Sequence, residues 1–159
     1  MIDFLPPALI MLFGALLIGP ARGTWRTAVV LLTPLLTLAA IWQVPDGVVA
    51  TLTFLEYPIE PIEGGPVRRL FATIFGLMAF VGGLYAYRQA KWYELAAAFI
   101  YAAGAIGVSF AGDLISLFIF WELMALFSTV VVWCGGTPGA RAAGIRYAIM
   151  HWRTISTAG

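Results

Sequence analysis

Residues 114–133, LISLFIFWELMALFSTVVVW, are a run of 20 residues that contains one charged side chain, Glu122. An α-helix rises 1.5 Å per residue, so this run is about 30 Å long, which matches the hydrocarbon core of a bilayer. The stretch therefore predicts a transmembrane helix. Glu122 is its ninth residue and lies about 13 Å from the start of the helix, close to the bilayer midplane.

The composition of the whole chain agrees with a membrane protein. Of its 159 residues, 62% are hydrophobic and 11% are charged, whereas soluble domains have about 25% charged residues. A soluble domain of this length could not bury so much apolar surface, which excludes a soluble enzyme, a disordered tail and a disulfide scaffold. A net charge of +1 gives no electrostatic case for binding nucleic acid.

Other apolar stretches predict further membrane segments. They are Phe4–Gly19, Thr27–Val44, Leu70–Tyr87 and Leu95–Ala111, and a sixth segment begins near Ala140 and reaches His151. Small residues four apart, such as Ala103 and Gly107, favour close contacts between helices. We expect an all-α integral membrane protein, a polytopic bundle of five transmembrane helices and a truncated sixth.

The loop Pro45–Pro66 separates the second and third segments. Thr51–Leu55 combines β-branched and aromatic residues without a helical period, and prolines and glycines interrupt the residues that follow. We predict a short β-hairpin on the outer membrane face. An acidic, solvated loop is the alternative for most of its residues.

Basic residues are divided unevenly between the two sides of the predicted bundle. The first, third and fifth connections hold six of them: Arg22, Arg26, Arg88, Lys91, Arg141 and Arg146. The other side has only Arg68 and Arg69, together with most of the acidic residues. The positive-inside rule therefore predicts a multi-pass membrane protein with its N-terminus outside. We expect the membrane to be a bacterial-type inner (plasma) membrane.

Glu122 is the strongest candidate for a functional residue. Its neighbours one turn away are Phe118, Ile119, Ala125 and Leu126, and none of them can form an ion pair. Ionisable residues at this depth are costly, normally face the bundle interior and often transfer protons. We therefore expect Glu122 to be buried in the bundle and to exchange protons. The alternative is a permanently neutral carboxyl group that hydrogen-bonds between helices.

His151 and Asp113 are weaker candidates for a secondary proton relay. A histidine in a sixth membrane segment suits proton transfer, but a satisfied buried histidine or one near a chain end is equally compatible with the sequence. Asp113 precedes the fifth segment, where an N-cap role is favoured over transport. The sequence contains no pattern that indicates a metal, a cofactor or a catalytic constellation.

Residues 112–124, GDLISLFIFWELM, resemble the fifth-helix motif of the antiporter-like membrane subunits. This family includes the D-type subunit of Mrp multisubunit Na⁺/H⁺ antiporters and the proton-pumping membrane subunits of respiratory complex I and related hydrogenases. Residues 70–80 resemble the third helix of the family, and Arg141–His151 resembles the start of the sixth. The resemblance covers nearly all of residues 1–151, as the N-terminal part of such a protein.

The resemblance implies that Glu122 is the family's buried glutamate on helix five. In the family this glutamate works with a lysine on helix seven, a position that this sequence does not contain, and Lys91, the single lysine, lies in a predicted loop. The implied partners are the other membrane subunits of an antiporter or respiratory complex, the lipid bilayer, protons and Na⁺ or K⁺.

The function implied is translocation of protons in exchange for monovalent cations. A proton-pumping subunit of an NADH-quinone oxidoreductase or hydrogenase is one alternative, and a non-transporting scaffold is another. A membrane-embedded enzyme is disfavoured, and no cofactor is implied.

The last residues depart from the family. Residues 152–159, WRTISTAG, become polar where a Gly- and Leu-rich helix would continue. We interpret residues 1–151 as the N-terminal part of an antiporter-like transmembrane domain and 152–159 as an atypical polar tail, of the kind that a truncation or frameshift produces. A natural short protein and one half of a split subunit remain alternatives.

Overall fold

The computed structural model describes residues 5–54 and 57–157, which contain six α-helices and two β-strands. The elements in chain order are α1 (Pro7–Ile18), α2 (Gly23–Ile41), β1 (Gly47–Phe54), β2 (Tyr57–Gly64), α3 (Pro66–Ala86), α4 (Trp92–Phe110), α5 (Leu114–Trp133) and α6 (Pro138–Thr157). This architecture confirms the predicted helical membrane bundle and the hairpin between its second and third helices. Phe4, Leu55 and Glu56, which the predictions included, lie outside the described residues.

Four helices in the described ranges, α2 to α5, are long and apolar enough to cross a membrane. Four of the five expected spans therefore have spanning length within the described residues, and α1 is the shorter one. Helix α1 has 12 residues and is only about 18 Å long. It begins at Pro7 because the residue before a proline avoids the helical region, and Pro6 is accordingly extended with ψ 128°.

Helix α6 also differs from the sequence-based expectation. It is 20 residues long and continues to Thr157, so Trp152–Thr157 extends the helix where we expected a separate tail. No glycine or proline occurs among these residues to end it. Polarity marks where a segment leaves the hydrocarbon, but it does not by itself stop a helix. The division of the chain at residue 151 stays a prediction.

The hairpin packs against the helix ends on one side of the bundle. Strands β1 and β2 are antiparallel, from Gly47 opposite Gly64 to Phe54 opposite Tyr57, with irregularities near Ala50. The backbone amide of Gly112, between α4 and α5, donates to the carbonyl of Glu60 at 2.9 Å. Ile62 is buried in the core, so the alternative of a mostly solvated loop is wrong for β2.

Two arginines fix the start of α3 beneath the hairpin. Arg68 donates to the carboxylate of Glu63 and to the carbonyl of Ala111. Arg69 binds Asp46 at 2.6 Å and the carbonyl of Val44 at 2.7 Å. These bonds join β2, α3 and the loops after α2 and α4 into one polar layer, which we call the hairpin end. The connections after α1, α3 and α5 form the opposite, basic end.

Helix α4 is the centre of the bundle, with α1, α3 and α5 packed around it. Phe99, Ala103 and Ile106 on α4 are almost completely buried. Gly107 lets α5 approach closely, because a Cβ atom at this position would overlap the ring of Phe120. The predicted close contact through Ala103 and Gly107 is therefore present, and it sets the position of α5 two residues from Glu122.

We predict that Gly107→Val destabilises the bundle by about 1–3 kcal/mol, the usual cost of overpacking a well-filled core. The reason is the overlap of the new side chain with the Phe120 ring. Unfolding in detergent micelles measures the effect. Gly82→Val is the matched control, since a Cβ atom at Gly82 has no neighbour within 4 Å. Equal stability of the two variants would contradict the packing described here.

Candidate proton-transfer site

Glu122 lies in the middle third of α5, whose bounds agree with the prediction. Its side chain is 26% exposed, so the carboxyl group is half-buried within the described residues, and its full burial stays a prediction. The physical reason is that α4 packs on one side of α5 and α6 on another, which leaves part of the helix surface uncovered. The carboxyl group is nevertheless surrounded along its own helix by apolar side chains, as predicted.

His151 on α6 is the partner of Glu122. Its Nε2 atom lies 3.2 Å from both Oε1 and Oε2 of the carboxyl group, and its side chain is also 26% exposed. The structure thus joins the first-ranked candidate of the sequence to one of the two secondary candidates. The sequence indicated no ion-pair partner for Glu122, because only neighbours on the same helix can be read from the spacing of residues.

The packing of α6 on α5 explains why these two residues meet. Gly144 is buried on α6, and a Cβ atom there would lie 3.2 Å from Cδ1 of Trp133 and 3.7 Å from the carbonyl of Thr129. His151 follows Gly144 by seven residues, or two helical turns, and therefore lies on the same face. Thr129 and Glu122 are also seven residues apart on α5. Antiparallel packing through Gly144 consequently places His151 opposite Glu122.

Gly144 was not among the residues that the sequence singled out. The sequence does contain one signal for this contact: Gly144 and His151 are seven residues apart on α6, and Glu122 and Thr129 are seven residues apart on α5. A single sequence gives no reason to align these two pairs before the helices are known to pack against each other.

The pair has the geometry for direct proton transfer. At 3.2 Å, Nε2 and a carboxyl oxygen are at the long end of hydrogen-bond distance. A neutral imidazole with a proton on Nε2 donates to a carboxylate, a protonated carboxyl group donates to a bare Nε2, and an imidazolium forms an ion pair with a carboxylate. One proton can therefore reside on either side of the same hydrogen bond.

Hydroxyl groups near the pair on α5 are already engaged. Ser128 and Thr129 both donate to the carbonyl of Ala125, at 2.7 and 3.0 Å. These bonds satisfy the hydroxyl protons within the helix, as is common for serine and threonine in apolar helices. Neither hydroxyl group therefore donates its proton to Glu122 or His151.

Asp113 lies at the other end of α5 and caps it. Its Oδ1 atom accepts bonds from the amides of Ile115 and Ser116 at 2.8 and 2.9 Å, and Oδ2 accepts from the Ser116 hydroxyl and the Glu60 amide at 2.6 and 2.7 Å. Partial burial raises the pKa of Asp113, but these hydrogen bonds outweigh it and hold the pKa below its usual value.

A carboxylate that is fixed and ionised in this way is suited to structure. It joins α5 to the hairpin. The structure does not bring Asp113 to Glu122, which is nine residues, or about 13 Å, further along the helix, and its part in proton transfer stays a prediction.

The described residues contain no group of three His, Cys, Asp or Glu side chains that could hold a metal ion. Cys134, at the end of α5, is a poor nucleophile near neutral pH. Burial raises the pKa of its thiol, and the nearby charge of Glu94 adds to this effect.

Comparison with known proteins agrees with the fold and with the family resemblance. No family model matches the sequence. The chain is 27% identical over 119 residues to the D-type subunit of a Na⁺/H⁺ antiporter from Alkalihalophilus pseudofirmus, a match that takes in 69% of this chain and 21% of that protein.

A solved structure has the same fold. A chain of the membrane-bound sulfane sulfur reductase, an archaeal respiratory membrane complex, superposes with a TM-score of 0.71 over 90% of this chain, at 17% sequence identity. The resemblance to the antiporter-like membrane subunits is confirmed. This chain spans about a fifth of the length of the antiporter protein and a third of the solved chain.

We predict that Gly144→Leu separates Glu122 from His151 by forcing α6 away from Trp133. The measurement is a double-mutant cycle with Glu122→Gln and His151→Gln, read from unfolding in micelles. In the native background the coupling free energy between Glu122 and His151 should be about 0.6 kcal/mol, the average for polar pairs between membrane helices. In the Gly144→Leu background this coupling free energy should be zero.

Gly139→Leu is the control for this cycle. A Cβ atom at Gly139 meets only the Thr137 hydroxyl oxygen, at 4.0 Å, so the coupling should survive. Coupling that persists unchanged in Gly144→Leu would contradict the described seam.

Proposed function

We propose that this chain is a subunit of a membrane complex that moves protons in exchange for a monovalent cation, Na⁺ or K⁺, and that Glu122 and His151 transfer the proton. The contact between these two side chains carries the proposal. The likeness to the D-type subunit of a Na⁺/H⁺ antiporter supports the exchange of protons for cations, and it supports other membrane subunits as partners.

The proposed step is a short relay across the seam between α5 and α6. A proton that arrives at Nδ1 of His151 allows Nε2 to release its own proton to the Glu122 carboxylate, so the imidazole passes charge from one side of its ring to the other. Release of the proton from Glu122 restores the carboxylate. His151 regains its starting tautomer when its remaining proton moves from Nδ1 to Nε2, through water or by rotation of the ring. Partial exposure of both side chains, 26% in each, leaves room for a water molecule or a partner group on the far side.

The distribution of charge supports an orientation for this step. Arg22, Arg26, Arg88, Lys91 and Arg141 lie at the basic end, whereas the two arginines of the hairpin end are paired with Glu63 and Asp46. By the positive-inside rule the basic end faces the cytoplasm of a bacterial-type inner membrane. The N-terminus is then outside, and protons cross from one face to the other past Glu122.

We predict that Glu122→Gln lowers proton movement by at least about tenfold, since a positioned acid–base group typically contributes more than this to a proton-transfer rate. The amide keeps the size and hydrogen bonding of the side chain but cannot ionise. The measurement is the pH change inside membrane vesicles that contain the assembled complex, started by adding Na⁺ or K⁺, or by adding a respiratory donor.

The matched control is Glu94→Gln, the same substitution at the start of α4. Its activity should equal that of the native complex. His151→Gln should lower proton movement in the same direction as Glu122→Gln. If Glu122→Gln assembles and transports normally, Glu122 serves only as a structural hydrogen-bonding group and the proposal is wrong. Proton movement that starts with the respiratory donor but not with Na⁺ or K⁺ would indicate redox-driven pumping and not cation exchange.

A further inference from the structure

A cleft lies at the basic end of the bundle, between the ends of three helices. It has a volume of about 520 Å³ and is lined by Lys91 and Tyr93 from the start of α4, Trp133 from the end of α5 and Arg141 from α6. Trp133 is eleven residues from Glu122, or about 16 Å along α5. The cleft is therefore separate from the Glu122–His151 pair.

The cleft has two cationic groups that no carboxylate neutralises directly. Within the described residues, neither Lys91 nor Arg141 is in an ion pair, whereas Arg68 and Arg69 at the hairpin end both are. The Tyr93 side chain, and to a smaller extent Glu94, raise the pKa of Lys91, so the amine stays charged. Glu94 itself accepts a hydrogen bond from the backbone amide of Lys91 at 3.1 Å and does not line the cleft.

The character of the cleft changes with depth. Val130 and Ile145 also line it, and each is one turn further into the bundle than Trp133 and Arg141 respectively. Tryptophan and tyrosine side chains at the ends of membrane helices prefer the level of the lipid headgroups. The cleft is therefore cationic at the level of the headgroups and apolar where acyl chains begin.

We propose that this cleft binds the phosphate group of an anionic phospholipid. Lys91 and Arg141 bind the phosphate oxygens, and Val130 and Ile145 contact the adjoining acyl chain. Basic pockets between membrane helices recognise anionic headgroups in this way. Inorganic phosphate could bind the same two cationic groups, but it has no acyl chain to contact the apolar part of the cleft. An experiment can therefore distinguish a phospholipid from inorganic phosphate.

The test uses the full chain in nanodiscs of phosphatidylcholine that contain a minor fraction of phosphatidylglycerol. Native mass spectrometry measures which lipid stays bound. We expect selective retention of phosphatidylglycerol, and an affinity about thirtyfold lower in Lys91→Gln/Arg141→Gln, which corresponds to the loss of two basic contacts at a membrane surface. Inorganic phosphate should not displace the lipid.

Two control variants make the result specific. Arg22→Gln/Arg26→Gln removes the same charge from the same end but outside the cleft, and it should retain the lipid. Lys91→Arg/Arg141→Lys keeps both charges and should also retain it. Equal loss of lipid in the two glutamine variants would overturn the proposal in favour of general surface attraction. Equal retention of phosphatidylglycerol and phosphatidylcholine would also overturn the proposal. Displacement of the bound lipid by inorganic phosphate would overturn it as well. If the cleft double variant does not fold, Arg141→Gln compared with Arg26→Gln gives the same decision.

Discussion

A carboxyl group in the middle of an apolar helix needs a hydrogen-bonding partner, and in this chain His151 supplies it for Glu122. Leaving such a group unpaired inside a bilayer costs several kcal/mol. The contact therefore constrains more than two side chains. Helix α6 contains three arginines and exposes most of its surface, and it meets α5 through Gly144 and His151. The position of the last helix depends on the same contact that makes proton transfer feasible.

The two ends of the bundle use charge differently. At the hairpin end, Arg68 and Arg69 are bound to carboxylates and backbone carbonyls, and Asp113 is fixed by four hydrogen bonds. These groups hold β2 and the ends of the helices together. At the basic end, Lys91 and Arg141 line the cleft beside Trp133. One end is thus a rigid structural layer, and the other presents positive charge to lipid headgroups.

The sequence predicted α5 to the residue because one run of apolar residues fills the hydrocarbon thickness between Asp113 and Cys134. It placed the other helix ends less well, since helices such as α3 begin before the apolar run, with Arg68 and Arg69 in the first turn. It selected Glu122 and His151 separately from their residue types. It could not join them, because the contact depends on the approach of α6 to Trp133 at Gly144, and that approach is a property of two helices together.

Sharing and exchange of a proton between Glu122 and His151 can be measured directly by infrared spectroscopy. The carboxyl and imidazole bands of the purified chain are recorded and compared with those of His151→Gln and Glu122→Gln. We expect each substitution to shift the band of the remaining group, because the hydrogen bond between the two side chains is lost. If the Glu122 and His151 bands stay where they are when the other residue is replaced, the two residues do not share a proton, and the proposed relay is wrong.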